Sequence, residues 1–452
     1  MISFENINKY DPVYHVWNEY YLQVHNRLYY NKIQIIGYEN VPPKGYPIFA
    51  IANHQNAVMD PLGMLYFYKD RRQPVFIARG DVFKTSNFVA RLLRFIKILP
   101  TFRSRDGGRE DIQSNLATFD LAARILNEGG TLTMFPEAGH QHGRYFVSFK
   151  KGFPRIAFLA AEKSNYTLDF KILPIYIYYT DLYNMGAKQL LIVGKTFGFE
   201  EFYDLYKGEP NKAFLAMNEK AREAVRSMGI DIEDHEHCEQ YDTVCMACRS
   251  HFIEENGWNS DEPYSAMRAD KIIVERVKKL DEEDHERFEK LLEEANEYKE
   301  KMYQMKLRGW LFDTKTSMGK ILGIIALLIL AFPISLFGMI NNVIPFKAPE
   351  LVKRNMKDPL FASTLNFCFG VIISFPVWYI ILTILAFCFL KWWMAILYLV
   401  ASVLTVRWYF YWKKNFVKLL GRCRYHRYER KSDSTFMRLK ELRASMRETI
   451  CR

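Results

Sequence analysis

Two stretches without a single charged side chain constrain this sequence more than anything else in it. Ile321 to Phe346 is 26 residues and Phe361 to Leu390 is 30, and Trp392 to Val406 continues after the lone Lys391. About 20 apolar residues span a bilayer core, and buried core helices seldom run this long. A helix satisfies its backbone polar groups internally, so residues 319–412 predict membrane helices. Pro333 lies near the middle of the first stretch and supports a broken, re-entrant segment, with 361–389 and 392–412 as a hairpin. Three full crossings is the competing reading. The mean hydropathy of −0.17 hides this division, because residues 1–318 read as a soluble mixed domain.

Charge is equally uneven. The formal net charge is +11, and residues 413–452 hold 13 Lys and Arg against 4 Asp and Glu, a net of +9. A basic tail beside apolar spans points to a bilayer with anionic headgroups rather than to nucleic acid, or to a topological signal. The loop KAPELVKRNMKD is also basic, and basic loops favour the cytoplasmic side. The start, MISFENINKYDP, lacks the apolar core of a signal peptide. Seven cysteines is an odd count, so a disulfide framework is not expected and a reducing cytoplasm fits the soluble part.

Within residues 1–230 the periodicity alternates. Val13, Trp17, Tyr21, Val24 and Leu28 recur at helical spacing and predict an amphipathic helix packed on its own domain. Strand-like runs at 32–36 and 47–52 flank the turn at Pro42 to Gly45. Helices are expected over 86–97, 111–127 (stopped by Gly129 and Gly130) and 152–163. The apolar run ending at Leu99, TLTMF and KILPIYIYY read as strands, which makes an α/β domain. Residues 231–262 read as an acidic loop and 270–306 as a charged helix with a discontinuous apolar stripe. The expected organisation is a catalytic domain at 1–230, an insertion or connector at 231–318, a membrane domain at 319–412 and a basic tail at 413–452.

Four clusters carry candidate chemistry. NHQNAVMDP holds His54 and Asp60, a base and a carboxylate able to orient it, provided a turn closes the six-position separation. Asn53 and Asn56 make such a turn plausible. ILPTFRSRDGGR offers Arg103, Arg105 and Arg109, whose planar forks suit phosphate. TLTMFPEAGH delivers Glu137 and Gly139 straight after a buried strand. Lys150, Lys151 and Gly152 precede a helix, a reasonable anion site, and Pro174 inside KILPIYIYY implies an edge strand or a strand start.

In this order the four blocks resemble the glycerolipid acyltransferase superfamily, of the bacterial glycerol-3-phosphate and 1-acylglycerol-3-phosphate acyltransferase type, over roughly residues 32–195. The resemblance implies a mixed sheet flanked by helices. It makes His54 the general base with Asp60 its partner, Arg103 the phosphate-binding residue, and Glu137 and Gly139 contacts of the acceptor's glycerol phosphate. Pro174 marks the fourth block, near the acyl or acceptor site. No cofactor or metal is implied. The co-substrate is acyl-CoA, acyl-carrier protein or an acyl phosphate, with acyl-carrier protein the one protein partner this suggests. The expectation is an integral membrane protein of the bacterial cytoplasmic membrane, with its catalytic domain on the cytoplasmic side.

Two departures stand out. Five residues, Gln55 to Met59, separate His54 from Asp60 where the family has four, and Ala138 stands where the family has glycine. The altered spacing motivates an alternative, a membrane-anchored lipid-binding scaffold with a degenerate domain. Outside the resemblance, Cys245 and Cys248 have the spacing of half a zinc site that Cys238 and His251, with His235 and His237, could complete; a connector with reduced thiols is the competing reading.

Overall fold

The apolar runs of the first 200 residues assemble one seven-stranded sheet. The computed structural model describes residues 4–68, 70–80, 83, 86–102, 109–314, 316–354, 356 and 358–451. The chain divides into two compact units, Met1–Glu233 and Asp234–Arg452.

In the first unit the strands are β1 (Lys32–Ile36), β2 (Ile48–Ala52), β3 (Val75–Arg79), β4 (Ile98–Thr101), β5 (Thr131–Met134), β6 (Lys171–Tyr179) and β7 (Lys188–Val193). Their spatial order is β1-β7-β6-β2-β5-β3-β4. β6, β2, β5, β3 and β4 are mutually parallel, whereas β7 runs antiparallel to β6 and β1 follows β7. The sheet is therefore mixed. β2 and β5 are buried at every residue, as parallel strands covered on both faces must be.

The longer helices of this unit are α1 (Met59–Phe67), α2 (Asn87–Phe95), α3 (Arg109–Asn127), α4 (Gly152–Lys163) and α5 (Pro210–Arg226). α3 stops as expected at Gly129, which is left-handed (φ 76°); Gly129 and Gly130 donate to the carbonyls of Leu126 and Ile125. α1, β3 and β7 were not anticipated.

Two expectations are overturned here. Pro174 is neither at an edge nor at a strand start: it is the fourth residue of β6, a central strand. Proline is tolerated because β7 is bulged beside it. Ile175 faces Val193 while Ile172 faces Phe197, so the returning chain carries one extra residue where the missing N–H would bond. The N-terminal segment is helical over Pro12–Val16 and Gln23–Tyr29, but Trp17–Leu22 between them forms wider π turns. Its domain-facing side is Tyr14, Leu22 and Tyr29 with Asn18 and Asn26, whereas Val13, Val24 and Leu28 are exposed. The larger rings take the buried side, Tyr14 and Tyr29 each lying one place on from Val13 and Leu28.

The second unit is helical. Its first long elements are α6 (Cys238–Glu255), α7 (Pro263–Glu283) and α8 (His285–Gln304). The stretch 231–262 is thus largely helix rather than loop. The discontinuity in the 270–306 stripe is the break at Asp284, whose carboxylate accepts from Arg287 N and caps α8.

Next come α9 (Met318–Leu330) and α10 (Phe332–Lys353), bent by 56° where Pro333 begins the second helix, then α11 (Phe361–Phe389), α12 (Trp392–Arg430) and α13 (Ser434–Cys451). α11 and α12 are long and apolar enough to cross a membrane, and the bent pair is a third candidate span or a re-entrant loop. A polar cluster joins this bundle. Tyr379 Oη donates to Asn342 Oδ1 (2.6 Å), Trp378 Nε1 to the Asn341 carbonyl (2.6 Å), and Tyr398 Oη to Asn341 Oδ1. The tail is no loose end: α13 buries Phe436, Leu439, Leu442, Met446 and Ile450, and Arg438 pairs with Glu297 of α8.

Candidate active site

β6, β2 and β5 lie side by side, and the carboxyl ends of β2 and β5 carry two of the four predicted clusters. In open α/β sheets ligands bind at this end. Beyond Ala52, the last residue of β2, Asn53 leaves the strand but keeps its side chain in the ladder. Its Nδ2 donates to the Ile177 carbonyl (3.0 Å) and its Oδ1 accepts from Ile177 N (2.7 Å), so β6 fixes the residue before His54.

The chain then turns. Met59 N donates to the Asn56 carbonyl, and Ala57 takes a left-handed conformation (φ 41°). This turn delivers Asp60 in the first turn of α1, back against the histidine. His54 Nδ1 lies 2.7 Å from Asp60 Oδ2. The same oxygen accepts the backbone N–H of Gln55 (2.9 Å) and Asn56 (2.8 Å). Asp60 is fully buried, while the His54 side chain keeps 18% of its surface exposed. The imidazole stacks on Phe135 just beyond β5 (centroids 4.6 Å apart), and Gln141 N donates to the His54 carbonyl (3.2 Å). With Nδ1–H directed at the carboxylate, Nε2 carries the lone pair on the opposite side of the ring.

Three residues that sequence reasoning missed complete the pair. Tyr179, the last residue of β6, donates its hydroxyl to Asp60 Oδ1 (2.7 Å). That hydroxyl accepts from Gln189 Nε2 of β7 (3.1 Å). Gly63 of α1 makes room, because a Cβ there would stand 2.2 Å from Gln189 Nε2. Burial, with the Asp60 charge next to it, pushes the Tyr179 phenol well up, so Tyr179 stays a donor. A polar side chain at the end of an apolar strand must find a partner when buried, and Tyr179 and Gln189 carried that signal.

The FPEA turn supplies the other wall. Ala138 closes it (Ala138 N to the Phe135 carbonyl, 3.1 Å) in a left-handed conformation (φ 60°), which explains why glycine suits this position in the family. Glu137 is buried, and its Oε1 makes no hydrogen bond. Burial pushes its carboxyl well above the ordinary glutamate range; a bond from the His54 backbone N–H opposes this, and the charges of Asp60 and Asp231 add to it. A buried acid with an unmatched oxygen suits a substrate hydroxyl. At Gly139 nothing lies within 4 Å of a Cβ, so that side of the loop is open.

The remaining predicted residues divide. Lys150 N donates to the Pro136 carbonyl (2.9 Å), which sets the start of α4 beside the FPEA turn, and Lys151 Nζ lies 3.2 Å from Asn211 Oδ1. Pro174 is buried in the sheet, and a Cβ on Gly194 would stand 2.9 Å from its ring. Arg103 and Arg105 lie outside the described residues; Arg109 opens α3. The chain leading to Arg103 is held by α3: Asn115 bonds both N–H and carbonyl of Phe102 (2.7 Å each), and Thr118 bonds the Pro100 carbonyl (3.0 Å). The zinc candidate does not assemble. Cys245 and Cys248 lie on α6, with Cys245 Sγ donating toward the Asp270 carbonyl (3.8 Å) and Cys238 Sγ toward the Asp234 carbonyl (3.5 Å). His251 sits half-exposed beside Glu255, and among the described residues no three His, Cys, Asp or Glu side chains are placed to hold a metal ion.

Residues 32–178 match the family described as Acyltransferase. A 1-acyl-sn-glycerol-3-phosphate acyltransferase of Chlamydomonas reinhardtii is 31% identical over 133 residues, which is 29% of this chain and 36% of that protein; this chain thus spans about a third of its relative's length. Among solved structures, the 1-acyl-sn-glycerophosphate (LPA) acyltransferase PlsC of Thermotoga maritima aligns at 19% identity with a TM-score of 0.32, covering 48% of this chain and 79% of that one. Residues 32–178 thus match the Acyltransferase family, in line with the resemblance that the four sequence blocks carry.

Proposed function

We propose that this chain transfers a fatty acyl group from an acyl thioester or acyl phosphate to a hydroxyl of glycerol 3-phosphate or 1-acylglycerol 3-phosphate. The observation that carries this reading is the closed His54–Asp60 pair, 2.7 Å apart, with the imidazole still reachable from solvent. In this mechanism His54 Nε2 takes the proton of the acceptor hydroxyl as its oxygen attacks the acyl carbonyl. Asp60 holds the tautomer and stabilises the imidazolium. Collapse of the tetrahedral intermediate breaks the carbonyl–sulfur bond of a thioester, with His54 returning the proton to the leaving thiolate, or the carbonyl–oxygen bond of an acyl phosphate, with phosphate leaving. Glu137 and the Lys150–Lys151 start of α4 are the groups assigned to the acceptor, together with Arg103. An acyl chain and a lipid product both partition into a bilayer, which fits a chain with helices able to cross one.

The test is incorporation of labelled acyl groups by detergent-purified full-length protein over a grid of donors (acyl-CoA, acyl-carrier protein, acyl phosphate) and acceptors. His54→Ala is expected to abolish incorporation while leaving the fold intact. Full activity in that variant would overturn the assignment of the base. A wild-type protein inert with every donor, yet tightly bound to anionic lipid, would instead establish the scaffold alternative.

A further inference from the structure

We propose that the second unit holds a binding site for a phosphorylated anionic headgroup, separate from the acyl-transfer chemistry, where α9 and the basic half of α12 meet. A cavity of about 400 Å³ opens there between the turn before α9, the first turn of α9 and residues 422–429 of α12. Its walls carry Ser317, Lys320, Arg422, Tyr425 and His426, with Glu429 at one side.

The charges of this cavity are not balanced internally. His426 Nε2 donates to the Thr316 carbonyl (2.7 Å), and its Nδ1 lies 3.6 Å from Glu429 Oε2. Glu429 also takes Lys440 Nζ (2.8 Å), so its charge is matched from α13. Lys320 and Arg422 have no carboxylate within ion-pair distance among the described residues. The Arg422 guanidinium rests on the Trp310 ring (5.1 Å), which holds the planar fork in place, and its Nε is buried without a hydrogen-bond partner. A buried guanidinium nitrogen left unmatched costs free energy until an acceptor arrives. Ser317 caps α9 (Lys320 N to Ser317 Oγ, 3.3 Å), so the positive end of that helix faces the same space. Fork, ammonium and helix terminus together suit the oxygens of a phosphate.

The site also lies where apolar surface gives way to polar. Ile321, Leu328 and Leu419 pack together, and Trp412 Nε1 donates to the Leu328 carbonyl (2.9 Å), so α9 and α12 run antiparallel there. Lys320 and Arg422 fall just beyond this packed pair on the polar side. Leu322 and Leu327 of α9 are 61% and 67% exposed on the apolar side. A phosphate in the cavity would sit above lipid-facing side chains, as a phospholipid headgroup does above its acyl chains. A free phosphate offers the same group without the chains, and the two sources are separable.

The experiment uses full-length protein in non-ionic detergent, with short-chain phosphatidate, phosphatidylcholine and inorganic phosphate as probes and native mass spectrometry as the readout. Phosphatidate binds in preference to phosphatidylcholine, and the pair Lys320→Gln with Arg422→Gln weakens it by roughly 25-fold, about fivefold per basic group removed. Lys413→Gln with Arg430→Gln removes the same charge elsewhere on α12 and leaves binding unchanged. Arg422→Lys keeps the charge and loses the fork, and its partial loss of affinity tests the site even where the double variant fails to fold. Inorganic phosphate that binds wild type and is lost in the double variant identifies a free anion as a sufficient ligand. Equal binding of the two lipids, or equal loss in the double variant and the control pair, overturns the proposal.

Discussion

Replacing Tyr179 by phenylalanine isolates the part of the site that lies behind the dyad. The change removes one oxygen from a fully buried setting and leaves the ring in place. Asp60 Oδ1 loses its 2.7 Å donor, and Gln189 Nε2 loses its acceptor. A hydrogen bond to a charged group contributes about 1.5–3 kcal/mol, and water cannot replace it where Asp60 is fully buried. For a folding unit of 233 residues that corresponds to a fall in Tm of roughly 3–12 °C. Loss of positioning should lower kcat about tenfold with KM for the acyl donor unmoved. The assays are differential scanning fluorimetry and steady-state acyl-transfer rates. A variant that keeps Tm within one degree and kcat within about twofold would refute the claim that Tyr179 orients Asp60.

Three further outcomes follow from the same geometry. Gly63→Ala drives a methyl into Gln189 Nε2 and should cost about 1–2 kcal/mol, and in a double-mutant cycle with Tyr179→Phe its effect on kcat should be less than additive; full additivity would break the proposed chain. Ala138→Gly relieves a left-handed alanine (φ 60°), and the net gain, after the glycine's greater unfolded-state freedom, should be roughly 0.5–1 kcal/mol, read as a raised Tm. Glu137 keeps its proton in the fold at pH values where an unfolded glutamate, near 4.5, has lost it. The folded state then binds more protons, so stability falls as pH rises above 4.5 toward the raised folded value, and Glu137→Gln should flatten that fall; parallel Tm–pH curves for the two proteins would contradict it.

What the sequence disclosed, and what it withheld, follows a physical line. Strands such as KIQII and KILPIYIYY and the helix at 152–163 are set by local pattern, and they form where the pattern placed them. The dyad was legible as a pair of residue types. Elements decided by tertiary context were not. α1 carries little amphipathic signal because Met59, Leu62, Gly63, Met64 and Leu65 are all buried, and β3 ends in exposed residues after only three buried ones. Pro174 looked like an edge because the bulge that accommodates it belongs to β7, twenty residues on. The cysteine spacing at 245 and 248 mimicked half a metal site because i and i+3 share a helix face, and each of those thiols packs within the helical unit instead. The N-terminal stripe had the right period and the wrong phase: Tyr14, Leu22 and Tyr29, each one place on from Val13, Tyr21 and Leu28, take the buried side.

The two departures from the family pattern resolve into one structural statement. A fifth residue between His54 and Asp60 would push the carboxylate off the imidazole if the loop stayed in ordinary backbone conformations. It does not: Ala57 turns left-handed, Asn56 and Met59 close a turn, and Asp60 returns to 2.7 Å from Nδ1. Ala138 does the same on the opposite wall. A left-handed alanine costs about 1–2 kcal/mol, so the two loops that grip His54 each hold strain that the packed sheet beneath must offset. That offset has visible sources. Asn53 locks β2 to β6, Asp60 gathers two backbone amides and a phenol, and Lys150 ties the FPEA turn to α4. Strain held by bonds of this kind serves placement, since an alcohol loses its proton to an imidazole only over a few tenths of an ångström of tolerance. The extra residue is therefore better read as a different route to the same dyad than as decay of the site, and the scaffold alternative loses the feature that motivated it.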